Sequence, residues 1–195
     1  MTDLSRRSAL IAGIGALGLG ACSNTEGPVA ASTTAGGSSR SDLTARSEAA
    51  LAELHRVRPA TRQLSEDAKA VLVFPSVTKL GFGIGGMGGN GTMFEGGRPV
   101  GFYNIAGASI GLQIGAQSFS QAYFFNTEEA LETFRKFRGF EGGVGATAVA
   151  ADFGADGSLT TSTLQKPVVV VTWGQGGLMA GIDVGAAKIT EINPA

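Results

Sequence analysis

Cysteine and histidine are almost missing from this sequence: each occurs once, as Cys22 and His55. A single cysteine excludes any internal disulfide framework, and a single histidine leaves a Ser-His-Asp triad or a histidine-rich metal site little to build on. Charge of one sign is scarce as well. Lys and Arg number 15 against 16 Asp and Glu, so no overall basicity points to nucleic acid. Long hydrophobic runs are also absent. The longest N-terminal one, Ala9 to Ala21, falls short of the roughly 20 residues that a membrane-crossing helix needs. Glycine, in contrast, is plentiful at 31 residues.

That apolar run comes after a short charged segment containing Arg6 and Arg7, which is the layout of an export signal. Leu19-Gly20-Ala21-Cys22 resembles a lipobox, in which cleavage occurs before a cysteine that carries a diacylglyceryl group. Ser5-Arg6-Arg7-Ser8 resembles a twin-arginine signal, so the twin-arginine and general secretory routes both stay open. The expectation is a signal peptide over residues 1–21 and a lipid anchor on Cys22. In a Gram-negative envelope, Ser23 beside the anchor would direct the lipoprotein to the outer membrane, facing the periplasm. Residues 22–41 are rich in Ser, Thr, Gly and Ala without an apolar period, and read as a flexible tether. A tether of that length and kind spans roughly 25 Å.

The folded domain is expected over residues 42–195. Leu43, Ser47, Ala50, Leu51, Leu54 and Val57 recur at helical spacing, with Ser41 or Asp42 as cap. Pro59 ends this helix and opens a second one running toward Lys69. From Ala70 the period changes to two. Val71 to Phe74 reads as a short strand stopped by Pro75, and Gly88-Gly89-Asn90-Gly91 as a hairpin turn. Ile110, Leu112, Ile114 and Ala116 line one face of a strand, as do Leu178, Ala180, Ile182 and Val184 of another. Val168 to Trp173 is a continuous apolar strand. One inserted helix should start at an Asn126 cap, with Leu131, Phe134 and Phe137 as its apolar stripe. Arg135, Lys136 and Arg138 read as ordinary charges at the end of that helix.

Glycines repeated on one face of several strands let a sheet bend sharply or let another backbone approach. The fold class expected is therefore α+β: a strongly bent antiparallel sheet, or a small barrel or sandwich, with N-terminal helices and one inserted helix. Gly81 to Gly86 matches the Gly-x-Gly-x-x-Gly dinucleotide pattern, but the residues after it are more glycine and a hairpin signal, with no helix-forming run. No cofactor is expected. Asp152, Asp156 and Asp183 lack the dense ligand spacing of a calcium loop, and no metal is expected either. An enzyme is not what this residue set describes.

Ala68 to Pro75, Lys79 to Gly86, Gly89-Asn90-Gly91, Gly107 to Gln117, Gly142 to Gly145 and Gly177 to Ile182 together resemble the SYLF domain, in its order, over roughly residues 45–190. The resemblance implies binding to membrane phospholipids. Eukaryotic members engage phosphoinositides, and some bind actin filaments. For an exported bacterial chain, the part that carries over is an anionic phospholipid surface met partly by the N-terminal helical region. Arg56, Arg58, Arg62, Lys69 and Lys79 are the candidate lipid contacts by position and charge. Two other readings stand beside this one. The chain could be a structural lipoprotein that binds an envelope protein partner and touches lipid only through its acyl anchor, or a hydrolase or carrier that encloses a lipid.

Overall fold

The computed structural model describes residues 39–140, 148–153, 157–174 and 187–195, with side chains described except at 81–84, 109–115 and 140. The expected export signal, Cys22 and the expected tether up to residue 38 lie outside the described residues. So do the Leu178 to Val184 alternation, Gly142 to Gly145, Asp156 and Asp183.

The first helix, α1, runs from Arg40 to Val57. Its cap is Ser39, whose hydroxyl accepts from the Asp42 N–H, rather than the expected Ser41 or Asp42. Asp42 instead stands in the first turn, where a carboxylate meets the positive end of the helix dipole, and pairs with Arg46 at 3.1 Å. The folded part thus starts ahead of residue 42, inside the stretch whose composition reads as tether. Arg40 ties this start to the C-terminal segment through the carbonyls of Pro194 and Ala195 and the Asn193 side chain. Pro59 closes α1 and stands at the start of α2 (Ala60–Asp67), as a residue with fixed φ and no N–H to satisfy should.

Two very long strands come next, β1 (Ala70–Glu95) and β2 (Arg98–Phe125), paired antiparallel almost end to end. Neither expected interruption occurs. Pro75 falls where the register shifts between Phe74 and Val77, an irregularity at which a missing N–H breaks no ladder bond. Asn90-Gly91 is strand, opposite Asn104 and Tyr103, and the Asn90 side-chain oxygen accepts from Asn104 Nδ2 at 2.8 Å. The turn lies further on, at Gly96-Gly97, with φ of +53° and +77°. Two successive positive values suit a two-residue hairpin whose twist matches its strands.

The hub of the sheet is β2. Its first half pairs with β6 (Ala187–Ile192) and its second with β5 (Val168–Gly174). The short β3 (Gly139–Phe140) extends the sheet beyond β6, and β4 (Ala148–Ala150) extends it beyond β5. The β4–β5 pair is parallel, so the expectation of antiparallel strands holds everywhere described but here. Helix α3 (Glu128–Lys136) comes after β2, and a single turn, α4 (Thr161–Leu164), precedes β5.

The sheet is strongly curled, as its glycines suggest. A Cβ at Gly91 would overlap the Val73 carbonyl, and one at Gly89 would overlap that of Ser76. The late part of β1 thus lies on its own early part, an approach that only absent side chains allow. From α1, Ser47 donates to the Val73 carbonyl at 3.3 Å and lies 3.3 Å from Thr92 Oγ1. One buried hydroxyl therefore touches both limbs of the bent strand.

Both faces of the sheet are covered, which explains the unbroken apolar runs in β1 and β5. Leu72, Phe74, Ile105, Tyr123, Phe125 and Val170 face one core, into which α3 sets Leu131 and Phe134. Val71, Val73, Phe124, Val169, Val171 and Trp173 face the other, covered by Leu54 of α1 and Leu64 of α2. The architecture is α+β, as the sequence pattern indicates. Residues 36–195 make up one compact unit with both cores inside it.

Candidate functional site

Residues of α1, α2, both ends of β1 and the Gly96-Gly97 turn border an open groove of about 610 Å³. Its floor is apolar, with Leu51, Ala70, Val71 and Phe94, and its rim carries Glu48, His55, Arg62 and Glu66. A concave apolar floor with a few polar groups at its edge is the usual form of a ligand site.

His55 and Ser65 form the one close polar pair described in it, with Nε2 and Oγ 2.8 Å apart. The contact could be mistaken for a nucleophile and its base. Ser65, however, is also 3.0 Å from the Thr61 carbonyl oxygen, which can only accept. Its hydroxyl proton goes there, and Ser65 accepts from His55. The pair links α1 to α2 and leaves no base poised to activate the serine. Burial holds the His55 pKa below its ordinary value of 6.5; the Arg62 charge adds to this and Glu66 opposes it. Among the described residues no three His, Cys, Asp or Glu side chains gather as a metal site would require. The glycine-rich stretch from Gly81 lies wholly within β1, with no helix after it to face a pyrophosphate.

The five candidate cations do not form one cluster. Arg62 stands on the groove rim, exposed, with no ion pair or hydrogen bond from its side chain among the described residues. Lys69 is likewise exposed and unpaired there, just after α2, its backbone N–H bonded to the Phe125 carbonyl. Arg56 is occupied: it meets Glu53 through two hydrogen bonds of 2.8 and 2.6 Å, which hold the Glu53 carboxyl below its usual range. Arg58 ends α1 and lays its guanidinium 5.1 Å from the centre of the Phe153 ring. Lys79 is half-buried well along β1, opposite Gln117, and apart from the helices.

A second set of cations gathers where α3 ends. Arg135 pairs with Glu95 beside the β1–β2 turn, and Arg138 reaches Glu191 of β6 at 3.6 Å. Lys136 Nζ lies 5.9 Å from the centre of the Phe137 ring. The sequence pattern assigns Phe137 to the buried stripe of α3; the structure leaves it 68 % exposed, whereas Leu131 and Phe134 are 2 % and 0 % exposed. The reason is that α3 stops at Lys136 and the chain reverses at Arg138, whose φ is +50°. Similarly, the cap of α3 is Thr127 rather than the expected Asn126. Thr127 accepts from the Ala130 N–H, while Asn126 donates to the Lys166 carbonyl. The groove could not have been found from periodicity, because Glu48, Arg62 and Phe94 come from three separate elements that only the fold brings together.

Among comparisons with known proteins, residues 106–195 match the family model Ysc84, described as "Las17-binding protein actin regulator". The match starts inside β2 and runs through α3 and the last strand. No curated protein matches the chain.

Proposed function

We propose, from the match of residues 106–195 to the Ysc84 family model and from the resemblance of the sequence to the SYLF domain, that this chain is a non-enzymatic phospholipid-binding module of a bacterial envelope. It is held at the membrane by a lipid on Cys22, and its domain touches anionic headgroups through free cations at α2. The family description speaks of actin regulation, which an exported bacterial chain has no means to perform. The supporting observation is the contrast among the cations. Arg46, Arg56 and Arg58 are taken up by Asp42, Glu53 and Phe153, whereas Arg62 and Lys69 are exposed near an apolar groove, with no ion pair or hydrogen bond from their side chains among the described residues.

Each cation at an anionic surface contributes about 1 kcal/mol, so two give an affinity that is weak in free solution. The tether changes that. A domain kept within roughly 25 Å of a bilayer meets headgroups at millimolar effective concentration, and weak contacts are then occupied.

The test is sedimentation of residues 36–195 with neutral and anionic vesicles at low and high salt. Binding to the anionic set alone, weakened by salt and lost in the Arg62→Ala/Lys69→Ala double variant, is the expected result. No binding to either set would sink the reading for the domain and leave Cys22 as the membrane contact. Labelled fatty acid should be incorporated into the full chain and not into its Cys22→Ser variant. The groove itself favours a second reading, a structural lipoprotein whose domain docks an envelope protein. One partner co-purifying in stoichiometric amount, in place of vesicle binding, would select it.

A further inference from the structure

We infer that Phe137, collared by the cations at the end of α3, is a membrane-inserting residue that fixes which end of the domain faces the bilayer. The inference rests on the phospholipid reading above and names a surface which that reading does not use.

Phe137 continues the stripe of Leu131 and Phe134, yet it is left mostly in water. Phe134 already fills the core position, packed 5.0 Å from both the Tyr103 and Phe125 rings. The positive φ at Arg138 then turns the chain into β3 and leaves Phe137 on the outside, a conformation uncommon for a residue other than glycine. At 68 % exposed, Phe137 is the most exposed of the large hydrophobics among the described residues, and moving its ring into an apolar environment outside the domain would be favourable.

The collar says which environment. Lys136 approaches the ring, and Arg138 is largely exposed with only a long contact to Glu191. Arg98, across the β1–β2 turn from Glu95, is exposed and unpaired among the described residues. An aromatic ring at headgroup depth, with cations reaching phosphates around it, is the arrangement that an anionic bilayer interface favours. Position supports the same occupant. The turn that places Glu95 against Arg135 also supplies Gly96 and Gly97 to the groove that Arg62 borders. The turn thus borders both the groove with Arg62 and the Arg135–Glu95 pair at the end of α3, and on this inference one bilayer surface meets the sheet at that edge.

The experiment uses residues 36–195 carrying Phe137→Trp, with vesicles whose acyl chains bear bromine. The native Trp173 is buried, so the unsubstituted protein supplies the blank. Quenching of the added indole by anionic brominated vesicles is expected, and Phe137→Ser should weaken vesicle binding on the order of tenfold with its unfolding midpoint unchanged. Vesicle binding with neither quenching at 137 nor loss in Phe137→Ser would overturn the inference and leave the phospholipid reading standing. Absence of vesicle binding by the unsubstituted protein would remove that reading and the inference with it. If Phe137→Ser instead abolished capture of a protein partner and left vesicle binding intact, the surface would be a protein interface and the inference would fall.

Discussion

The two faces of the curled sheet are covered by helices in different ways. On one, the nine-residue α3 sets Leu131 and Phe134 among Phe74, Tyr103, Tyr123 and Phe125, so its hold depends largely on one ring with two aromatic neighbours. On the other, α1 and α2 spread their contacts over Leu54 and Leu64, with Ala50 and Leu51 packed beside them, in a core that includes Val71, Val73, Val169 and Val171, and add the hydroxyl of Ser47. The first cover is concentrated and the second distributed. The distributed cover can therefore leave a groove at its margin without loosening, while the concentrated one has to fit closely wherever it touches. Both candidate lipid contacts lie at the borders of the helical covers, one beside α2 and one just past the end of α3.

Replacing the central ring tests that comparison most severely. Phe134→Ala should cost about 3–5 kcal/mol in chemical denaturation, since it removes a fully buried ring and leaves a cavity beneath a short helix. A loss below about 2 kcal/mol would show that α3 is held mainly by something else. Leu54→Ala, equally buried on the opposite face, should fall near the lower end of the range of about 2–5 kcal/mol for such a truncation, because Ala50, Leu51 and Leu64 still pack against the same core. If it equalled Phe134→Ala, the distinction between concentrated and distributed covers would fail.

Ser47→Ala probes the fold at its sharpest bend. The substitution removes a buried donor that serves the Val73 carbonyl and neighbours Thr92, and should cost about 1–3 kcal/mol. The loss ought to appear as faster unfolding of the bent strand together with α1, measured by hydrogen exchange at Val73 and its neighbours. Exchange unchanged there would mean that the bend is fixed by the glycine contacts alone.

How far these features can be read in the sequence depends on the distance over which each is determined. The change of period at Ala70, the helix broken by Pro59 and the apolar run from Val168 are local, and the structure reproduces them. The glycine pattern announces a bent sheet, and Gly89 and Gly91 show where the bend needs it. The turn is harder to place, because Asn90-Gly91 carries the stronger local hairpin signal; pairing across to Asn104 overrides it and moves the reversal to Gly96-Gly97. Phe137 reads as core because a 3.6-residue period contains no information about where a helix will stop. Among the cations, charge is legible and occupancy is not: Arg56 and Arg62 look alike until Glu53 is seen to hold one of them. The groove depends on three elements meeting and has no local signature.

The smallest effect expected is also the one that reports on the groove directly. His55 stands between α1 and α2 with its pKa held below 6.5, by burial first and by the Arg62 charge second. The neutral ring is therefore favoured in the fold, and the unfolded chain takes up a proton more readily. Stability from this residue is fully present above the unfolded value and is lost as pH falls through the depressed folded value. Between about pH 8 and about pH 5, the denaturation midpoint of the native chain should drop more than that of a His55→Gln variant, which keeps a donor for Ser65 but cannot titrate. Equal slopes would mean that the ring is solvated well enough to titrate normally. Arg62→Ala should flatten the native slope in part, because it removes the second cause and leaves the first. Lipid phosphate bound at Arg62 would act in the same direction, so anionic vesicles should reduce the pH dependence of the native chain and leave that of Arg62→Ala unchanged.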